Sequence, residues 1–258
     1  MQRFMMVFIL VLLPVLTLAL PQPGQAQEQP PVRCFETTGY CIEGVMLTYW
    51  ERSGGLSTVG YPITEQSPDT TVDTWSGPVQ WFERTRLEDH GPQGVLAGRL
   101  GVELLALQGR PWQYLPTVFH RFPHVRTVSE LEHDYGCLYF EATMHSLCPP
   151  FRAYWEEHGG VDSFGYPISE PMMESIGDWA GTVQYFERHR MEFHHELRGT
   201  AFEIQTGRIG TEVLTLLQKR DDSPVRNTAD IHSYQLYQPE APQNLQPMPA
   251  AAPLPAAE

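Results

Sequence analysis

Arginine, glutamate and histidine side chains occur twice in this chain at the same spacing, in VQWFERTRLEDH (79–90) and VQYFERHRMEFH (183–194). If each stretch is one β-strand, alternate side chains share a face, and one face carries the same six residue types in both. These residues are Gln80, Phe82, Arg84, Arg86, Glu88 and His90, then Gln184, Phe186, Arg188, Arg190, Glu192 and His194. Guanidinium and carboxylate groups bind anionic or hydroxylated ligands through forked hydrogen bonds. The repeated face is therefore a candidate ligand surface, although a tight hairpin turn near Arg84 would break the alternation.

Aromatic rings near these polar groups suggest a sugar as the ligand, because sugar C–H faces stack on rings while hydroxyl groups need donors and acceptors. Trp81 and its counterpart Tyr185 lie within the two stretches, and Trp75 and Trp179 lie just before them. The predicted ligand-binding residues are Trp81, Arg84, Arg86, Glu88, His90, Tyr185, Arg188, Arg190, Glu192 and His194.

A purely structural interpretation competes with the ligand surface. The rings would then fill the cores of two small units. The arginine and glutamate side chains would form an internal salt-bridge network that fixes the sheet to a helix through Glu51 or Glu103. Identical residues in both copies fit either interpretation.

The sequence carries no motif of a known catalytic centre: G-x-S-x-G, a glycine-rich phosphate loop and HExxH are all missing from it. His189, His194 and His195 lie close in the second stretch, but the first has only His90, so no metal or other cofactor is predicted. We therefore expect no enzyme. The alternative is a hydrolase in which Glu88 and Glu192 flank a glycosidic bond across a pseudo-twofold axis.

The two stretches belong to a longer internal similarity. Residues 35–65 align with 140–170 at an offset of 105, and thirteen of the 31 positions are identical. The similarity resumes at an offset of 104 for 79–90, and at 109 where GRLGVELL (98–105) matches GRIGTEVL (207–214). We predict two copies of one folding unit, at 34–108 and 137–218, joined by a connector at 109–136.

Each unit is predicted to combine helices with β-strands. Apolar residues are spaced for a short helix at Val45, Met46, Tyr49 and Trp50, and again at Phe151, Tyr154 and Trp155. A Gly-Gly pair and an extended Gly-Tyr-Pro-Ile segment follow in both copies. The expected fold class is α+β, with two tandem repeats that each contain a short helix, a β-hairpin or strand pair, and a closing helix.

The two ends of the chain have distinct compositions. An apolar run over 4–20 and a small polar stretch ending at Ala26 are typical of a cleavable secretory signal, so residues 1–26 are predicted to be a signal peptide. A transmembrane anchor is the alternative, but Pro14 favours cleavage, and no membrane span is then expected. Residues 238–258 are rich in Pro, Ala and Gln and are predicted to be disordered.

Charge and cysteine content indicate the environment and the partners. The chain has 31 acidic and 17 basic residues, a net charge of −14, which disfavours binding to nucleic acid. Four cysteines in an exported chain favour disulfides. One local bridge in each unit, Cys34 with Cys41 and Cys137 with Cys148, is the simplest of the three pairings.

The order of motifs, W with a following GG, GYP, VQ.FER and GR.G, resembles the LGFP-type repeats of exported bacterial proteins, and more closely the "FGYPI" repeats of extracellular proteins. The signature lies in Gly60-Tyr61-Pro62, Gly165-Tyr166-Pro167 and the two VQ.FER stretches, with Arg99 and Arg208 before the final glycines. The resemblance implies association with cell-envelope polysaccharide. We therefore predict a secreted or cell-envelope-associated, non-catalytic binding module for such a polysaccharide. A structural protein-interaction module is a third possibility.

Overall fold

The structure is a computed structural model that describes residues 30–72 and 75–221. The predicted signal peptide (1–26) and the predicted tail (238–258) lie outside the described residues. The described part of the chain contains eight α-helices and four antiparallel sheets, so the predicted α+β class is confirmed. None of these helices has the length and apolar character needed to cross a membrane.

The N-terminal segment begins with a two-stranded hairpin and continues through two helices into a four-stranded sheet and a closing helix. Its elements are β1 (Val32–Cys34), β2 (Cys41–Glu43), α1 (Gly44–Arg52), α2 (Gly55–Thr58), β3 (Ser67–Val72), β4 (Trp75–Trp81), β5 (Arg86–Asp89), β6 (Val95–Ala97) and α3 (Leu100–Leu107). The larger sheet has the order β3-β4-β5-β6, in which every strand pairs with its neighbour in sequence.

The connector contains two short helices, and the C-terminal segment then presents the same order of elements as the N-terminal one. The connector helices are α4 (Val118–Arg121) and α5 (Val128–Tyr135). The segment comprises β7 (Leu138–Phe140), β8 (His145–Leu147), α6 (Phe151–Glu157), α7 (Gly160–Phe164), β9 (Met172–Ile176), β10 (Trp179–Tyr185), β11 (Arg190–Phe193), β12 (Ile204–Thr206) and α8 (Ile209–Asp221). Its four-stranded sheet has the order β12-β11-β10-β9.

A disulfide closes the edge of each small hairpin. Cys34 bonds to Cys41 beside β1 and β2, and Cys137 bonds to Cys148 beside β7 and β8. Both predicted pairings are therefore confirmed. The bridges span seven and eleven positions, so each restrains one hairpin rather than joining distant parts of the chain.

A buried tryptophan fixes the first helix of each segment. The indole of Trp50 in α1 donates a hydrogen bond of 2.9 Å to the carbonyl of Gly60, ten residues further along. Trp155 in α6 makes the same bond to Gly165 at 3.2 Å. The glycine carbonyl of the Gly-Tyr-Pro motif thus accepts a hydrogen bond from the indole N–H, while the rest of the ring lies in the core. An indole N–H buried without such a partner would be costly.

The interpretation of 79–90 and 183–194 as single continuous strands is wrong. β4 ends at Trp81 and β5 begins at Arg86, and the intervening residues form a tight turn in which the Phe82 amide donates to the Thr85 carbonyl at 2.8 Å. The C-terminal segment has the same turn at 186–189. In the resulting pairing Trp81 lies opposite Arg86, so the two share one face of the hairpin. Gln80 lies on the other face, and Arg84 lies in the turn itself.

The two segments meet through their turns and their closing helices, in a contact that we call the junction. In the first turn of α3, the amide of Gly101 donates to the Glu187 carbonyl at 3.1 Å. Reciprocally, the Thr211 amide in α8 donates to the Glu83 carbonyl at 3.1 Å. The first amides of a helix have no partner within it, so each turn supplies an acceptor that the other segment's helix requires.

A shared hydrophobic core lies behind the junction. It combines apolar residues of both closing helices with residues of β10 and with Ile168, which lies just before β9. Its members are Leu100, Leu104, Leu105, Ile168, Val183, Tyr185, Ile209 and Val213. Each segment also has its own core around its first helix. The closing helices bury their apolar faces against each other, so the two segments form one folded body.

Gly101→Ala and Gly210→Ala test the reciprocal contact. A Cβ at these positions would overlap the backbone carbonyl oxygens of Phe186 and Phe82, respectively. Helix propensity alone would stabilise either alanine variant by about 0.8–1 kcal/mol. We expect instead a loss of about 1–3 kcal/mol from overpacking, measured as the free energy of unfolding in chemical denaturation. A gain in stability at both positions would contradict the close approach of turn and helix.

Candidate functional site

Two buried arginine networks contain four of the ten predicted ligand-binding residues. In the N-terminal segment, Arg86 donates from Nε and Nη2 to Glu88, at 2.9 and 2.7 Å. Its Nη1 and Nη2 also donate to the two carboxylate oxygens of Glu103 on α3, at 2.9 and 2.7 Å. The Arg86 side chain is only 3 % exposed. Burial alone would lower the pKa of Arg86, but the charges and hydrogen bonds of Glu103 and Glu88 outweigh it and raise the pKa.

The C-terminal segment repeats this network. Arg190 donates to Glu192 at 3.0 and 2.6 Å and to Glu212 on α8 at 3.0 and 2.7 Å, and its side chain is 1 % exposed. Burial opposes the charge, yet the two carboxylates raise the pKa of Arg190. Both guanidinium groups therefore fix a hairpin to a closing helix. This is the salt-bridge network, with Glu103 as a partner, that the structural interpretation of the sequence expected. Glu51, the other partner considered, pairs with Arg33 instead.

The aromatic candidates occupy different environments. The Arg86 guanidinium lies over the ring of half-buried Trp81, 4.9 Å from its centroid, and Arg190 lies 5.8 Å from that of Tyr185. Tyr185 is fully buried and donates from its hydroxyl to Glu174 at 2.8 Å, and burial raises its pKa. These rings pack against the shared core and the arginines.

A tryptophan and a histidine stack on each sheet. The rings of Trp75 and His90 are 4.1 Å apart with planes 21° from parallel, and those of Trp179 and His194 are 4.6 Å apart at 30°. Each histidine also faces the carboxylate of its own network, His90 toward Glu88 at 3.2 Å. The four rings are half-buried, which leaves part of each at the surface.

Much of the repeated sequence signature has a structural role. Gln80 is buried and donates from Nε2 to the carbonyls of Cys41 and Thr64, and Gln184 makes the matching bonds to Ser146 and Ser169. A side chain at Gly98 or Gly207 would overlap the arginine network of its own segment. Arg99 pairs with Glu187, and Arg208 pairs with Glu83, each across the junction.

Arg84 and Arg188, in the two turns, differ from the other predicted arginines. Neither forms an ion pair among the described residues, and the Nε of each is buried without a hydrogen-bond partner. Arg188 donates from Nη1 to the Ala97 carbonyl of the other segment. The continuous-strand interpretation predicted that Arg84 shares a face with Arg86, and Arg188 with Arg190. In the structure, Arg84 and Arg188 lie instead in the two turns at the junction.

His189 is a buried titratable group. From the sequence, it was considered only as a possible metal ligand. It lies at the end of the second turn, where the N-terminal segment has Thr85, and its Nδ1 has no partner. Burial, with Arg188 and Arg84 close by, lowers the pKa of His189 to about 3, so the imidazole is neutral at ordinary pH.

Sequence reasoning missed a buried carboxylate in the C-terminal segment. Glu170 is 3 % exposed and accepts hydrogen bonds from the Ser146 amide at 2.9 Å and the Ser146 hydroxyl, with His145 Nδ1 at 3.2 Å. The glutamate lies between serine and histidine, so the imidazole is not placed to take the hydroxyl proton as in a catalytic triad. The alignment of Glu65 with Glu170 was the available signal, but Glu65 is exposed and gives no hint of burial.

Sequence reasoning also missed an open cleft of about 720 Å³ between the end of α3 and the C-terminal segment. Arg110, just after α3, donates to Glu174 of β9 at 2.7 Å, and this glutamate also accepts from Tyr185. Other lining residues include Gln108, Met172 and Ile176. Arg190, a predicted ligand-binding residue, and Glu212 also line the cleft. Its other lining residues come from the end of α3, the connector and β9 with the residue after it, outside the repeated 183–194 stretch, so no spacing in the sequence predicts the cleft as a whole.

The groups considered for catalysis and metal binding lie as follows. Glu88 and Glu192 are each held by the buried arginine of their own segment. Within 30–72 and 75–221, no three His, Cys, Asp or Glu side chains come together in a way that could hold a metal ion.

Comparisons of the chain with protein-family models, curated proteins and solved structures found no match.

Arg86→Met should destabilise the protein far more than Arg99→Met. The first change leaves Glu88 and Glu103 without their buried partner and should cost about 3–5 kcal/mol. Arg99 is 44 % exposed in its pair with Glu187, so its loss should cost about 1 kcal/mol or less. Chemical denaturation of both variants measures the difference. Equal losses would contradict the structural role of the Arg86 network.

His189 should make the stability depend on pH. The unfolded chain takes up a proton near pH 6.5, which the folded chain cannot bind until about pH 3, so the free energy of unfolding should fall as the pH decreases between these values. The contribution approaches about 1.4 kcal/mol per pH unit. His189→Thr, which copies Thr85 of the other turn, should flatten the profile relative to the parent protein. Parallel profiles would show that His189 is not buried in its neutral form.

Proposed function

We propose that this chain is an exported, non-catalytic binding protein for a cell-envelope or extracellular polysaccharide, built from a duplicated α+β unit. The observation that carries the proposal is the open cleft beside β9. The two disulfides are compatible with an extracellular protein. The resemblance of its motifs to LGFP-type repeats suggests the class of polymer.

The cleft combines the two kinds of group that sugars require. Met172 and Ile176 provide apolar surface for C–H faces. Arg110, Glu174 and Gln108 provide donors and acceptors for hydroxyl groups, and the ion pair of Arg110 with Glu174 fixes the orientation of both. Because the Arg110 side chain is 39 % exposed, part of it is available to a ligand.

The environment of the carboxylates favours binding over hydrolysis. A glycosidase needs one carboxyl group that releases a proton and a second that attacks or activates water. Glu88 and Glu192 each accept two hydrogen bonds from a buried guanidinium at one carboxylate oxygen, so that oxygen is already occupied. The network geometry thus supports a structural role for the two residues on which the hydrolase alternative depends.

Sedimentation with purified cell walls and insoluble polysaccharides tests the proposal. We expect the parent protein to be retained on at least one polymer, and Arg110→Ala and Met172→Ala to bind it at least tenfold more weakly. A tenfold loss corresponds to about 1.4 kcal/mol. Arg33→Ala is the matched control, because it removes another partly exposed ion pair, with Glu51, away from the cleft.

Three results would contradict the proposal. Folded protein that is retained on no polymer would remove the binding function. Equal binding by Arg110→Ala, Met172→Ala and the control would remove the cleft as the site. Release of soluble sugar from the polymer by the parent protein would contradict the non-catalytic assignment.

A further inference from the structure

Positive and negative charges balance within the cleft beside β9. Its charged lining residues are Arg110, Glu174, Arg190 and Glu212. Arg110 donates from Nη1 to Oε1 of Glu174 at 2.7 Å. Arg190 donates from Nη1 and Nη2 to the two carboxylate oxygens of Glu212, at 3.0 and 2.7 Å. Each guanidinium in the cleft is therefore already paired with a carboxylate that also lines it.

A second carboxylate acts on the arginine at the floor of the cleft. Arg190 also donates to Glu192, at 3.0 and 2.6 Å, so its single positive charge faces two negative ones. The side chain of Arg190 is only 1 % exposed, whereas that of Glu212 is 29 % exposed. At this network, a ligand in the cleft therefore meets a carboxylate and not a guanidinium.

Glu174 holds the more accessible arginine, Arg110, from a fixed position. The glutamate side chain is 13 % exposed, and its Oε2 accepts from the Tyr185 hydroxyl at 2.8 Å while its Oε1 accepts from Arg110. Nη2 of Arg110 lies 3.1 Å from the sulfur of Met172. An acidic ligand at Arg110 would thus have to displace a carboxylate that the protein itself supplies. A hydroxyl group can instead bond to the exposed part of Arg110 and leave the ion pair intact.

The remaining wall of the cleft is the free edge of a sheet. Residues 172–177 line the cleft without a break. Successive side chains of a strand point to opposite faces, so an unbroken run indicates a cleft along the strand edge and not over one face. Among the described residues, β9 pairs only with β10. The backbone N–H and C=O groups on its other side are donors and acceptors without formal charge.

We propose that the cleft binds an uncharged polysaccharide, an inference that rests on the proposed function and names its class of ligand. Sugar hydroxyl groups can donate to the carboxylates and accept from guanidinium and backbone N–H groups without breaking either ion pair. A uronate or phosphate group would meet Glu212 on one side and would displace Glu174 from Arg110 on the other, and disrupting such a pair is costly. The net charge of −14 also repels polyanions.

Sedimentation with matched pairs of polymers tests the charge of the ligand. Cellulose, chitin and curdlan are each compared with a form oxidised at the primary hydroxyl group, which differs from its parent only by carboxylates. We expect the full protein to bind at least one neutral polymer about tenfold more tightly than its oxidised form. Because no charge pair forms with the ligand, this binding should change less than about twofold between about 0.05 and 0.5 M NaCl.

Glu174→Gln should shift the preference toward the oxidised polymers. The amide oxygen can still accept from Tyr185, but Arg110 loses its counterion and can then pair with a carboxylate of the ligand. We expect the preference for the neutral form to fall about tenfold. Glu51→Gln is the matched control, because it makes the same change in net charge and frees Arg33 away from the cleft. The salt dependence of the parent protein needs no variant, so it tests the inference even if Glu174→Gln does not fold.

Tighter binding of the oxidised forms, weakened by salt, would overturn the inference and leave the proposed binding function standing. The same preference in Glu174→Gln as in Glu51→Gln would overturn it as well, since the ion pair would then not determine the class of ligand. Retention on none of these polymers would also contradict it. Purified cell walls, assayed in parallel, show whether the proposed function fails in that case too.

Discussion

The fold depends on the close approach of a turn in one segment to the first helical turn of the other. The carbonyls of Glu83 and Glu187 accept from amides at the start of α8 and α3, and glycine at 101 and 210 leaves room for the contact. Hydrogen bonding and packing act here together, because the same helices then bury their apolar faces against each other. Each segment thus provides a backbone acceptor for the first amides of the other segment's closing helix.

The two arginine networks follow from this arrangement. Arg86 and Arg190 connect a hairpin to a closing helix, so they hold the surfaces that meet at the junction. Their geometry is demanding, since a buried guanidinium must satisfy several donors at once. This requirement explains why Arg, Glu and Gly recur at fixed spacing in both segments. Similarity between the two halves therefore marks residues that the fold requires. The cleft combines two of these, Arg190 and Glu212, with Arg110 and Glu174, which the matching motifs do not include.

Local features of the fold could be predicted from the sequence. The α+β class, the helix that contains Trp50, the closing helices and both disulfides follow from hydrophobic spacing and from cysteine positions, which depend on neighbouring residues. The turn at 82–85 could not be distinguished from a continuous strand, because alternation of side chains survives on both sides of it. The positions of Arg84 and His189 depend on contacts between distant segments, and the cleft depends on the path of the connector. The spacing of nearby residues in the sequence therefore predicts none of the three.

The junction also determines when the chain can fold. Glu83 and Thr211 are 128 positions apart, and the second belongs to the last helix of the described residues. During synthesis, the N-terminal half emerges long before the residue that its turn contacts. Closing so long a loop is slow, and the early half meanwhile exposes the apolar face of α3. Protection of that face until the final helix arrives is thus a requirement on whatever cellular route delivers this protein.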